Sequence, residues 1–222
     1  MSKLEWDLTG EKLYETGVEQ VALYVVDNKG EYGTGVAWNG ITALNLSPSG
    51  AEPTNLYANN KKYLTLTSLE ELGYTVEAYT YPPEWAACDG SAAVAAGVYV
   101  GQQPRKTFGL VAKTLIGNDV VGTKYGYKLH LLYGSKASVS EKSNATISDS
   151  PEANTMSWEC TTTPVAIPGF EPSSYICIDS TEVDAENLAA LEAILYGSDD
   201  KEASLPLPEE VFTTLGVTQQ TT

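Results

Sequence analysis

The chain has 222 residues, 29 of them Asp or Glu against 13 Lys or Arg, for a formal charge of −16, with one His and three Cys. Such an acid surplus excludes a reader of free nucleic acid, because affinity for phosphate comes from Lys and Arg. A single His excludes a two-His metal site within one chain, and three widely spaced cysteines exclude a disulfide framework or a paired-Cys zinc motif.

An apolar content of 42% over this length suits a folded chain with a core of its own. No run approaches the ~20 apolar residues of a membrane span. The acidic, aromatic opening lacks the basic-then-apolar order of a secretion signal, so cytoplasmic synthesis and no membrane partner are expected.

The first strong pattern is at 20–26, where Val21, Leu23 and Val25 alternate with Ala22 and Tyr24, the period-two mark of a half-buried strand. Residues 28–60 follow as the least regular stretch, with Gly30, Gly33, Gly35, Gly40, Pro48, Gly50 and Pro53 around one predicted strand at 38–46. An excursion of this length is expected either as an arm that touches a partner molecule or as a disordered surface loop. Its candidate contact residues are Pro48, Asn55, Leu56 and Tyr57, since Leu and Tyr are costly to leave in water.

Strands are predicted next at 62–67, where Leu64 and Leu66 alternate with Tyr63, Thr65 and Thr67, and at 73–81. A single helical turn is predicted at 84–89, and strands at 107–116 and 124–133. The latter places Tyr125, Tyr127, Leu129, Leu131 and Tyr133 on one face and Lys124, Lys128 and His130 on the other. Two more strands, at 156–162 and 175–179, complete a mainly β chain.

Helical spacing comes late. Leu188, Leu191, Ile194 and Leu195 recur at helical intervals over 184–196, with Asp184 as candidate N-cap, Val183 and Leu188 as candidate hydrophobic staple, and Gly197 to close the end. A short C-terminal helix is predicted from Pro208 to before Gly216. No internal repeat or dividing linker is visible, so 1–222 is expected to form one domain.

Chemistry is hard to find. No nucleophile elbow, phosphate loop, dinucleotide fingerprint or zinc signature occurs, and no catalytic residue, cofactor or metal site is expected. Among acidic clusters, Glu70 with Glu71 carries no defined separation across a cleft and Asp199 with Asp200 reads as a solvated turn, while Cys88, Cys160 and Cys177 read as buried reduced thiols. The glycosylation pattern Asn144-Ala145-Thr146 has no meaning without secretion. Charge is uneven: residues 1–90 carry 5 basic and 13 acidic groups, 91–150 carry 7 and 3, and 151–222 carry 1 and 13. A basic middle between acidic ends suits complementary faces on neighbouring copies, or simply solvated surfaces.

Several motifs, in order, carry a resemblance: 33–40 (GTGVAWNG), 81–85 (YPPEW), 116–119 (IGND), 127–134 (YKLHLLYG), 147–151 (ISDSP) with 157–159 (SWE), 178–181 (IDST), 188–197 (LAALEAILYG) and 205–211 (LPLPEEV). Taken together they resemble the major tail proteins, or tail tube proteins, of long-tailed bacteriophages of Gram-positive hosts.

The resemblance implies an antiparallel β-sandwich or barrel of the phage tail tube type, with one flanking helix at about 184–196, a short C-terminal helix and a long hairpin arm. It implies a structural virion protein, not an enzyme, made in the bacterial host cytoplasm and residing in the virion. Its subunits would form hexameric rings that stack into a hollow conduit for genome ejection. Its partners would be copies of itself, the tape measure protein, the tail terminator and distal tail proteins. Double-stranded DNA would pass through the lumen without specific binding. No appended immunoglobulin-like domain is expected after the tube domain.

An alternative is a carbohydrate-binding or adhesion β-sandwich of a phage tail tip, for which Trp6, Trp38, Trp85 and Trp158 would be stacking platforms.

Overall fold

The computed structural model describes residues 3–144, 146–147 and 153–217. Ala145 of the glycosylation pattern and 148–151 of the ISDSP motif lie outside the described residues. The chain is mainly β, with antiparallel pairing throughout and few helices.

One antiparallel sheet organises the molecule. It contains β1 (Tyr14–Val25), β2 (Val36–Ala37), β3 (Ile41–Gly50), β6 (Glu70–Ala78), β9 (Phe108–Asn118), β10 (Gly122–Ala137), β11 (Met156–Thr162) and β14 (Tyr175–Asp179). Its order is β2-β1-β9-β10-β11-β6-β3, with β14 also on β10. Three hairpins stand apart from it: β4 (Pro53–Ala58) with β5 (Lys61–Thr67), β7 (Ala92–Ala95) with β8 (Val98–Val100), and β12 (Val165–Ile167) with β13 (Phe170–Ser173).

The sheet forks on β10. Lys128 to Leu132 pair with β14, while Ser135 to Ala137 pair with β11. The switch falls at Gly134, whose φ of +58° suits glycine and where an added Cβ would lie 2.3 Å from the Thr163 carbonyl oxygen. No larger residue fits that bend.

Forking produces two cores, because alternate residues of the shared strands point to opposite sides. Val21 and Leu23 of β1 enter the first core, while Ala22 and Tyr24 enter the second. The first core lies where the sheet folds back on itself and is built on aromatic rings. Trp38 sits 4.5 Å from Trp85, Trp85 lies 5.4 Å from Trp158 and 4.9 Å from Phe108, all centroid to centroid. Trp85 belongs to the single turn α1 (Trp85–Cys88), whose role is to drop this ring into the core. Each such ring buries roughly 150–250 Å².

The second core lies under α2 (Ala185–Leu195) and α3 (Pro208–Thr214). Leu188, Leu191 and Leu195 of α2 and Val211 of α3 meet Leu129, Leu131 and Tyr133 of β10. Asp184 caps α2, its Oδ1 accepting from the Glu186 and Asn187 amides at 3.1 and 3.0 Å. Val183 and Leu188, either side of the cap, both belong to this core. Tyr24 donates to the Leu195 carbonyl, Tyr133 to the Pro206 carbonyl at 3.0 Å, and Asn187 joins α2 to α3 through the Leu215 carbonyl at 3.2 Å. Those two tyrosines are pushed far above the ordinary phenol value by burial, so they stay protonated donors.

Two expectations from sequence need correction. The strand at 62–67 exists but is half-buried on neither face: β5 is exposed along its whole length and pairs only with β4. Its alternation is real, but among the described residues its apolar side joins neither core. Nor are all three cysteines buried, since Cys177 on β14 is exposed.

Candidate assembly surface

Residues 28–60 divide into a fixed part and a projecting part. Tyr32 accepts from the Gly134 amide at 2.9 Å, Gly35 donates to the Ala203 carbonyl at 2.8 Å, and Trp38 donates to the Val21 carbonyl at 2.8 Å and fills the first core. The first dozen residues are therefore lashed to the body. The excursion proper begins in the outer half of β3, where Pro48 faces Leu72 across the ladder, and returns through the start of β6. Pro48 is tolerated because β3 has a partner on one side only.

Beyond Gly50 the chain leaves the sheet. Gly50 has φ +85° and would place a Cβ 2.3 Å from the Leu69 carbonyl oxygen, so the base of the projection needs glycine. The β4–β5 hairpin turns at Asn59 and Asn60, both with positive φ (+53° and +61°), the backbone a two-residue hairpin turn requires and Asn tolerates. Thus the tip is Asn59-Asn60, with Lys61 and Lys62 beside it, and Asn55, Leu56 and Tyr57 lie below it on β4.

Candidate residues on this arm occupy defined places. Leu56 is the cross-strand partner of Leu64, and Thr54 of Leu66, so Leu56, Leu64 and Leu66 share one face. Their exposures are 42%, 37% and 54%. On the other face Asn55 accepts from the Thr65 hydroxyl at 2.9 Å. Tyr57 and Tyr63 are largely open to solvent, and Leu69 at the base is 90% exposed. A two-stranded ribbon is marginal in water, and an apolar face with no cover adds cost.

A second projection was not legible as such. The β7–β8 hairpin turns at Ala96-Gly97 and exposes Val94, Val98, Tyr99 and Val100. The signal for it was an Ala-Gly pair between two short apolar runs.

The sheet also has open edges. Among the described residues β14 pairs only with β10, β3 only with β6, and the Tyr14 to Glu19 half of β1 only with β9. Unpaired edges invite another chain unless they are blunted, and β1 is partly blunted by two bulges.

Near these edges lies a polar face. His130 is flanked by the Thr114 hydroxyl at 2.7 Å from Nε2 and the Tyr175 hydroxyl at 2.7 Å from Nδ1. Its register partner on β14 is Cys177, and Lys128 on the same strand pairs with Glu15. Burial lowers the His130 pKa, opposed by Glu15 and reinforced by Lys128, so the ring is neutral near pH 7. On the opposite face Lys113 lies 3.9 Å above the Tyr127 ring and 3.8 Å from Glu19.

This arrangement offers surfaces for contact. Among the described residues no group of three or more His, Cys, Asp or Glu could hold a metal ion, and no helix is long and apolar enough to cross a membrane. Burial pushes the Cys88 and Cys160 thiols up to about 12, which removes their nucleophilic form at neutral pH. No family model matches the chain, and no curated protein matches it.

Proposed function

We propose that this protein is a self-assembling structural subunit, the major tail tube protein of a long-tailed phage, forming hexameric rings that stack into a conduit for DNA. The observation that carries the reading is the arm. It is a hairpin with Leu56, Leu64 and Leu66 along one face, half open to solvent and, among the described residues, part of neither core. Such a face gains stability only against another molecule.

Open edges on β1, β3 and β14 support the same reading, since edges that are a hazard on a monomer become pairing surfaces in a closed ring. A heterologous contact along an axis generates a filament. The resemblance of the ordered motifs supplies the phage assignment and the remaining partners: the tape measure protein, the tail terminator and the distal tail proteins. A chain of charge −16 suits a wall that DNA passes without adhering, because acidic groups repel phosphate.

The carbohydrate-binding alternative loses most of its platforms. Trp38, Trp85 and Trp158 are buried together in the first core, and only Trp6 is exposed.

Negative-stain electron microscopy of the concentrated protein, with light scattering on the same sample, tests the proposal. Rings or hollow tubes are the expected result. A chain that stays monomeric at millimolar concentration, and binds glycans in that state, refutes it.

A further inference from the structure

The segment ahead of β1 carries a second unpartnered apolar pattern. Leu4, Trp6 and Leu8 alternate with Glu5 and Asp7. All five are exposed, Trp6 by 76%, although an indole is among the most costly side chains to leave in water. Among the described residues the segment's side-chain ties to the body lie where it ends. Gly10 donates to Asp119 Oδ1 at 3.0 Å, and its carbonyl accepts from Asn118 Nδ2 at 3.1 Å, at the β9–β10 turn.

At the other end of β9 is a cleft of about 250 Å³, walled by Tyr81, Pro83 and Tyr99, with Asp89, Ser91 and Lys142 on its polar side. It continues into a groove past Arg105. Lys142 pairs with the Asp89 carboxylate and lies 5.1 Å from the centre of the Tyr81 ring. Arg105 donates through Nη2 to the Asp89 carbonyl at 3.2 Å, and its Nε is buried without a partner among the described residues. Around this cleft Arg105, Lys106 and Lys142 face Asp89 and Glu84, a local excess of cation on a strongly acidic chain.

We propose that this cleft receives Trp6 of a second copy of the chain, the indole entering between Tyr81 and Tyr99 while Glu5 and Asp7 turn toward Arg105 and Lys142. The proposal deepens the self-assembly reading and rests on it. Charge and shape both match: an aromatic ring between acidic neighbours meets an aromatic slot with Lys142 on its wall and Arg105 in the adjoining groove.

A chain cannot fill its own cleft. Strand β9 has 11 residues, roughly 35 Å of extended backbone, and separates the Gly10 anchor from the cleft beyond Phe108. Trp6 is four residues from that anchor, a reach of about 14 Å. Contact therefore joins one end of a subunit to the opposite end of the next, a head-to-tail geometry that propagates along an axis.

The test is a titration of a fluorescein-labelled peptide of residues 3–9 onto the full chain carrying Trp6→Ala, followed by anisotropy. Saturable binding is expected, weakened about tenfold or more by Tyr99→Ala in the chain or by Trp6→Ala in the peptide. Tyr99 lies on an exposed hairpin, so the variant keeps its fold, checked by circular dichroism. Absence of saturation, or equal binding to the Tyr99→Ala chain, overturns the proposal. Failure of the unsubstituted chain to form tubes counts against the tube reading instead, and the titration decides the contact independently of it.

Discussion

Replacing Leu56, Leu64 and Leu66 together by Thr separates assembly from folding. Threonine keeps the β-propensity of the hairpin and removes most of the apolar face. The three side chains are 42%, 37% and 54% open in the free chain, so their exposed fractions together exceed one whole leucine. Burying one leucine completely is worth about 1.5–3 kcal/mol, which puts the arm contact at roughly 2–4 kcal/mol per subunit. Losing that contact raises the critical concentration for assembly roughly thirty- to several-hundredfold.

The assay is sedimentation of assembled material across a dilution series, with thermal unfolding of the monomer measured in parallel. Because no core residue touches this face, the melting temperature is expected to stay within a degree or two. An unchanged critical concentration refutes the assembly role. A melting temperature lowered by many degrees refutes the premise that the leucines have no cover within the chain.

Three further predictions concern the body of the molecule. Asp184→Ala leaves the Glu186 and Asn187 amides without their acceptor and lowers stability by about 1 kcal/mol, read from the urea midpoint; an unshifted midpoint would show the cap to be idle. His130 has a folded pKa below its ordinary value of 6.5, so the unfolded chain takes up the proton first. Its contribution is therefore fully present above pH 6.5 and declines as pH falls below that value, and His130→Gln is expected to flatten the fall in stability between pH 7 and 5. An identical slope in the variant would place the pH dependence elsewhere. With a thiol reagent at neutral pH, the native chain is expected to react at Cys177 alone, Cys88 and Cys160 following only on unfolding.

Local patterns were the legible ones. The alternation of Leu129, Leu131 and Tyr133, the split of Val21 and Leu23 from Ala22 and Tyr24, and the helical recurrence of Leu188, Leu191 and Leu195 are consequences of backbone geometry over a few residues. The Asp184 cap is equally local, since donor and acceptor lie two and three residues apart. A sequence determines such features by itself because strand and helix periods require no knowledge of the partner.

What covers each face is a different matter. Leu64 and Leu66 show the same alternation as Leu129 and Leu131, yet one pair lies half open to solvent on an arm and the other is sealed under α2 and α3. The fork at Gly134, the union of Trp38, Trp85 and Trp158, and the exposure of Cys177 each depend on register between strands far apart in sequence. So does the placing of Trp6 and the Tyr81–Tyr99 cleft at opposite ends of β9. Periodicity states which residues share a side; only the pairing of distant strands decides whether that side meets a core, solvent or another molecule, because burial is a property of the whole packed chain.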